Sequence, residues 1–232
     1  MGKRIIQRAR GHGGPRYRVR KKAYSLKIGY IHKEGKGKVI KLINSTAHSC
    51  PLAKIEFLGK IFYNPAANGM IEGQEIDIGS GEVKDGNILK LKDIPVGKKV
   101  YNIEAKPGDG GKFVRTSGNF AIVTKKLKGK VALLLPSKKE ILFDENCLAT
   151  IGVIAGSGRL EKPIIRAGKM YYIKKSRNKL WPRTSAVKMN IVDHPFGSGR
   201  GKRIKSKIPK RHAPPGAKVG SLRPRRTGRK KK

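Results

Sequence analysis

All fifteen carboxylates of this 232-residue chain lie between Glu34 and Asp193. That partition constrains folding more than any local motif does. Before it stand Lys3, Arg4, Arg8, Arg10, Arg16, Arg18, Arg20, Lys21, Lys22, Lys27 and Lys33, and after it a run of cations from Arg200 to Lys232, none with an acid to offset it. Only the middle mixes apolar, acidic and basic residues well enough to build a folded body. The 55 Lys and Arg against 15 Asp and Glu leave a net charge of +40, far past what solubility requires. Self-repulsion on that scale is tolerable when a polyanion neutralises it, so the expected partner is nucleic acid. A DNA-binding domain would usually carry one basic patch. A mixed-charge body with two cationic arms suits a protein threaded into its partner.

Rival classes fare worse. The longest clean apolar run, Val131 to Leu135, is strand-sized and far short of the ~18 residues of a membrane span. No basic amphipathic helix with an aromatic face stands out, so a membrane partner is not expected. The N-terminal residues are polar and basic from Lys3 onward, so a secretory signal is not expected either. Cys50 and Cys147 stand alone, without a CxxC or a paired His, and read as buried reduced thiols. His12 between glycines, and His48 near Cys50, offer two ligands at most, which does not make a zinc site. No metal or cofactor is expected beyond Mg ions that accompany RNA.

Within the chain, residues 1–36 combine Gly11-His-Gly-Gly-Pro15 with basic residues spaced by Tyr17, Val19, Tyr24 and Ile28. Their apolar content is too low to bury a core, which predicts a basic extension, disordered alone. Tyr17 or Tyr24 could stack on an exposed base. From Gly37 the pattern alternates: 38–43, 53–58 and 60–63 read as strands, with Ile76 and Ile78 beyond them. Short strands with a turn about every ten residues predict a small closed barrel over 37–88. A second set, at 99–104, 120–124, 130–135, 139–143 and 149–154, is more apolar and fits an SH3-like barrel over 89–158. Pro163 is placed to open a short helix whose apolar face would hold Ile164, Ile165, Ala167, Met170, Tyr171 and Ile173.

Trp181 to Gly201 holds the single Trp, the last acid (Asp193) and His194, and leaves through glycines. Its prolines and glycines argue for a presented loop. Trp181 is either core or a cap of the C-terminal extension, 159–232, onto the barrel. Pro195 favours extended backbone at His194, which would send the Asp193 and His194 side chains to opposite sides. Gly197-Ser-Gly-Arg-Gly-Lys202 lacks the spacing of a nucleotide-hydrolysing phosphate loop and reads as a turn that meets RNA phosphates. Ser185 and Ser198 lack any nucleophile-elbow context.

The ordered series Pro51-Leu-Ala-Lys54, Ile94-Pro-Val-Gly97, Lys106-Pro-Gly-Asp109, Ser117-Gly-Asn119, Lys162 to Gly168, Trp181-Pro-Arg183, Met189-Asn190, Asp193-His-Pro-Phe-Gly197 and Arg225-Arg-Thr-Gly-Arg229 resembles the universal L-two family of large-subunit ribosomal proteins, in its archaeal and eukaryotic cytosolic branch. The similarity runs over essentially the whole chain. It implies a mainly β protein with two tandem barrels, oligonucleotide-binding-like and then SH3-like, between basic extensions buried in large-subunit rRNA. It also implies a cytoplasmic, ribosomal location near neighbouring ribosomal proteins, the peptidyl-transferase region and its tRNA, and small-subunit rRNA. Three places depart from the family: Ala186-Val-Lys188 before the Met, Ile191 for a usual Pro, and Ser198 within a usual triple glycine.

The residues expected to meet RNA are Arg8, Arg10, Arg16, Arg18, Arg20 and Lys21 in the N-terminal arm, and Trp181, Arg183, Met189, Asn190, Asp193, His194, Pro195, Gly197 and Gly199 in the loop. Arg200, Lys202, Arg203, Arg211, Arg225, Arg226 and Arg229 continue them along the tail. No residue is expected to be catalytic. His194, which matches a family histidine proposed to assist peptide-bond formation, is the one candidate, and a neutral imidazole has the basicity for it.

Overall fold

The structure, a computed structural model, describes residues 3–19, 21–197, 212, 219 and 220. Contacts divide the chain into two compact units, one spanning Arg20–Ile165 and the other joining the N-terminal segment through Val19 to the segment from Arg166 onward.

The Arg20–Ile165 unit is a mainly β structure. Its strands are β1 (Gly35–Ile43), β2 (Leu52–Phe57), β3 (Lys60–Pro65), β4 (Glu75–Gly79), β5 (Ile88–Lys90), β6 (Lys99–Tyr101), β7 (Ala121–Leu127), β8 (Lys130–Leu134), β9 (Glu140–Asp144) and β10 (Leu148–Ile151). They form one ten-stranded sheet in the order β3-β2-β1-β4-β5-β10-β6-β7-β8-β9. Alternation is clearest in β2. In β2, Ala53, Ile55 and Phe57 are buried, while Glu56 between them faces out. The β2–β3 hairpin turns through Leu58 (φ 50°) and Gly59 (φ 68°), the two positive φ values that a two-residue turn of matching twist demands.

Two hydrophobic cores lie along this sheet. The first gathers Val39, Ile55, Phe57, Ile76 and Ile78, and the second Leu91, Ile94, Val100, Val123, Leu133 and Phe143. The strand between them, β5, was not foreseen, because three residues carry no legible period. It pairs parallel with β4 (Ile78↔Ile88) and antiparallel with β10. Ile88 belongs to the first core and Leu89 to the second, since successive strand residues face opposite ways. Asn87 anchors the approach: its Nδ2 donates to Asp77 Oδ2 (2.8 Å) and to the Glu82 carbonyl (2.9 Å).

A buried polar seam runs through the same wall. Tyr30 Oη donates to the Asn102 carbonyl at 2.7 Å and lies 2.7 Å from Thr150 Oγ1. Asn64 Nδ2 donates to Thr150 Oγ1 (2.9 Å), and Asn102 Nδ2 to Asn64 Oδ1 (2.8 Å). Because these groups are shielded from water, each bond supplies a partner that would otherwise be missed at a cost of about 1–3 kcal/mol.

Two expectations need correcting. Residues 1–36 do contribute buried apolar groups. Tyr30 joins the first core with Leu26, Ile28 and Ile31 packed against it, and Ile5 is buried as well. For Tyr30 and its neighbours, a few well-spaced apolar residues suffice because the sheet supplies the rest of the surface. The helix after Pro163 begins later, as α2 over Ala167–Ser176, with Ile164 and Ile165 outside it and exposed. The β-branched Ile164-Ile165 pair favours extended backbone, and no residue of α2 is fully buried: of the expected apolar face only Met170 and Ile173 are half-buried.

Candidate nucleic-acid interface

The unit that joins the N-terminal segment to the segment from Arg166 onward carries all of the sequence-derived site residues that fall within the description except Lys21. Helix α1 (Ile6–Gly11) places Arg8 and Arg10 in its last turn, where cations complement the partial negative charge of the free carbonyls. The backbone then reverses at Gly13, whose carbonyl accepts Arg18 Nε at 2.5 Å. Arg8, Arg10, Arg16, Arg18 and, in the other unit, Lys21 are all exposed. Arg20, Gly199, Arg200, Lys202, Arg203, Arg211, Arg225, Arg226 and Arg229 lie outside the described residues, as does Ser198.

The loop 181–197 is compactly turned. A single 3-10 turn spans Ala186–Lys188, and the Asn190 carbonyl accepts the amides of Asp193 (3.0 Å) and His194 (3.1 Å). Gly197 is buried, and a Cβ there would overlap the Asn190 carbonyl, so this glycine serves the closeness of the turn. Trp181 and Met189 are half-buried, and Arg183, Asn190 and Pro195 are exposed. The substituted Ile191 is exposed as well.

Asp193 and His194 do not point to opposite sides as extended backbone would have required. The residues turn instead, and both side chains line one cleft of about 140 Å³. Its apolar walls are Ile5, Ile6, Ala186 and Met189, and its polar rim is Gln7, Arg10, Arg183, Thr184, Asp193 and His194. The cleft joins segments far apart in sequence: the Lys3 amide donates to the Val192 carbonyl (2.8 Å), and Lys3 Nζ lies 3.4 Å from Asp193 Oδ1. A broader hollow nearby is lined by Arg10, Tyr17, Arg177 and Lys179.

The two acid–base groups are engaged separately. His194 Nδ1 accepts the Phe196 amide at 3.0 Å, which leaves Nε2 to carry the ring proton of the neutral form. Partial burial holds the imidazole pKa below its ordinary value. Asp193 is turned to Lys3, so no Asp–His relay forms. Sequence reasoning missed Lys3, Ile5, Ile6, Thr184 and Ala186. The Ile5-Ile6 pair inside an otherwise basic arm was the one available signal.

Elsewhere the glycine-rich turn 106–112 keeps its amides for itself. Asp109 accepts the amides of Ala105 (3.0 Å), Lys106 (3.2 Å) and Gly111 (3.0 Å), and buried Glu104 accepts those of Gly110 and Leu148 at 2.9 Å each. Cys50 and Cys147 are both buried, and burial raises both thiol pKa values, that of Cys147 to about 12. Among the described residues no group of three or more His, Cys, Asp or Glu comes together, and no helix is long and apolar enough to cross a membrane.

A family model described as Ribosomal Proteins L2, C-terminal domain, matches residues 84–215. Full-length relatives extend the likeness. Large ribosomal subunit protein uL2 of Archaeoglobus fulgidus is 44% identical over 98% of this chain and 99% of its own. The chain belongs to the uL2 family. The uL2 protein of Korarchaeum cryptofilum is 45% identical over 100% and 98%, and that of Methanosphaerula palustris 42% over the whole of both chains. The uL2 domain match takes in the 183–194 wall of the cleft, whereas the α1 wall lies before it and is covered by the full-length uL2 relatives.

Proposed function

We infer that this protein is a structural, rRNA-binding constituent of the large ribosomal subunit and works in the cytoplasm. The observation that carries the reading is the exposed cationic set Arg8, Arg10, Arg16, Arg18 and Arg183 in a chain of net charge +40 with uL2 relatives along its whole length. Arginine forks onto phosphate and stacks on bases, so such a surface binds RNA backbone and exposed bases together. The undescribed tail cations, from Arg200 onward, would extend the same contact. Neighbouring ribosomal proteins, small-subunit rRNA and tRNA are partners of the assembled particle, and Mg ions would arrive with the RNA.

The reading predicts counterion release. Affinity for a large-subunit rRNA fragment should fall linearly with salt on logarithmic axes, with a slope near 0.7–0.9 per phosphate neutralised. Removing residues 200–232 should weaken binding and flatten the slope. An unchanged slope contradicts the proposed role of the tail.

Direct catalysis by His194 is the second reading, and the imidazole geometry opposes it. A general base needs a free lone pair, yet Nδ1 is occupied by the Phe196 amide and Nε2 carries the proton. Assembled particles carrying His194→Ala should therefore form peptide bonds. Loss of that reaction in intact particles would favour catalysis.

A further inference from the structure

The cleft between α1 and residues 183–194 has features that a plain phosphate-binding surface does not need. Its volume is about 140 Å³, close to the ~150 Å³ cavity that accepts a single benzene ring and well below the ~300 Å³ at which drug-sized pockets begin. Ile5, Ile6 and Met189 give it apolar walls, which suit a ring and are wasted on a phosphate. The rim is rich in donors. Arg10 and Arg183 have no acceptor capacity, and the neutral His194 ring offers Nε2–H. The one carboxylate, Asp193, is held by Lys3 at 3.4 Å. Gln7 and Thr184 can accept as well as donate, so a ring that satisfies this rim presents carbonyl oxygens together with an N–H. Arg10 also lines the adjoining hollow with Arg177 and Lys179, so phosphates on either side of an inserted nucleotide have a cationic track to follow.

The geometry points to this cleft as a socket for one unstacked pyrimidine base of RNA, uracil matching its donors best. The socket rests on the rRNA-binding reading and deepens it: the arms neutralise backbone, and the cleft takes hold of one splayed nucleotide. Shape sets the class, since a stacked pair cannot enter, and an apolar enclosure rewards a ring that has already left its stack.

The test uses the full-length protein and three pentanucleotides of equal charge, each with four abasic sugars and a central uridine, adenosine or abasic position. Fluorescence anisotropy at fixed salt should find the uridine strand bound about tenfold more tightly than the abasic one, with adenosine weaker than uridine. Ala186→Leu narrows the cleft and should bring the uridine strand down to abasic affinity. If that variant does not fold, the wild-type comparison still decides. Equal affinity for uridine and abasic strands, both falling steeply with salt, overturns the socket and leaves the rRNA-binding reading standing. Adenosine binding as well as uridine overturns the single-ring fit. Failure of all three strands to show salt-dependent binding overturns the reading beneath it.

Discussion

The Phe196 amide donates to Nδ1 of His194 at 3.0 Å, across a tight turn closed by the Gly197 amide on the His194 carbonyl. Two neighbours in sequence thereby fix a tautomer that no sequence motif specifies. The imidazole is left as a donor through Nε2, facing a cleft, with its basic nitrogen spent.

That tautomer predicts a spectroscopic signature. In ¹⁵N NMR of the neutral ring, Nε2 should be the protonated nitrogen and Nδ1 the acceptor, with the titration midpoint below the ordinary His value near 6.5. The folded state disfavours the charged ring, so the unfolded chain binds more protons between the two midpoints. The contribution to stability is present above the unfolded pKa and is lost as pH falls through the folded one. A midpoint above the ordinary value would contradict the geometry.

Asp109 should behave in the same direction for a different reason. Burial tends to raise its pKa, but the amides of Gly111, Ala105 and Lys106, with Lys112, outweigh that and hold it below the usual carboxylate value. Its stabilisation is complete above an unfolded pKa of about 3.9 and disappears as pH falls through the lower folded value. Asp109→Ala, which strips the turn of these acceptors, should cost about 1–3 kcal/mol at neutral pH in denaturant melts, and the loss should shrink in acid. A loss independent of pH would mean that packing, with little part for the charge, holds the turn.

Thr150→Val tests the buried seam with little change of shape. It removes the acceptor of Asn64 Nδ2 and the neighbour of Tyr30 Oη, and should cost about 1–3 kcal/mol. Since β5 and β10 serve both cores, the midpoint should shift in one cooperative transition. Two separated transitions would show that the cores unfold independently.

Gly197→Ala should open the 190–197 turn, because the added Cβ would overlap the Asn190 carbonyl. The amides of Asp193, His194 and Gly197 are then expected to exchange with deuterium faster than in the wild type, with the Arg20–Ile165 unit unchanged. Unaltered exchange at these three amides would count against the tightness of the turn.

Cys147 should resist thiol reagents at pH 8 until denaturant is added, because its pKa is pushed up to about 12 and the residue is fully buried. Rapid labelling of the native protein would mean that β10 opens readily.

Much of the β body was legible because alternation is local. Ala53, Ile55 and Phe57 announce an inward face within six residues, and Ala121 and Val123 of β7 do the same, whereas β8 buries three residues in a row and β9 only Phe143. The likeness to a ribosomal family was legible too, because ordered short motifs such as Trp181-Pro-Arg183 and Asp193-His-Pro-Phe-Gly197 survive in linear form. Strand β5 was not, since three residues show no period and its role comes from β4 and β10 on either side. Tyr30 was hidden for a related reason: its value lies in Asn102 and Thr150, which are remote in sequence.

By itself, then, the sequence determined the electrostatics: a mixed-charge body, an excess of cations at both ends, and hence the expectation of a polyanionic partner. Charge is additive along a chain and needs no fold to be counted. Only the tertiary structure decided how His194 and Asp193 are held. The tautomer depends on how the 194–197 turn brings the Phe196 amide back, and orientation and enclosure depend on Lys3 and the Ile5-Ile6 wall, contacts between distant segments that leave no trace in local spacing.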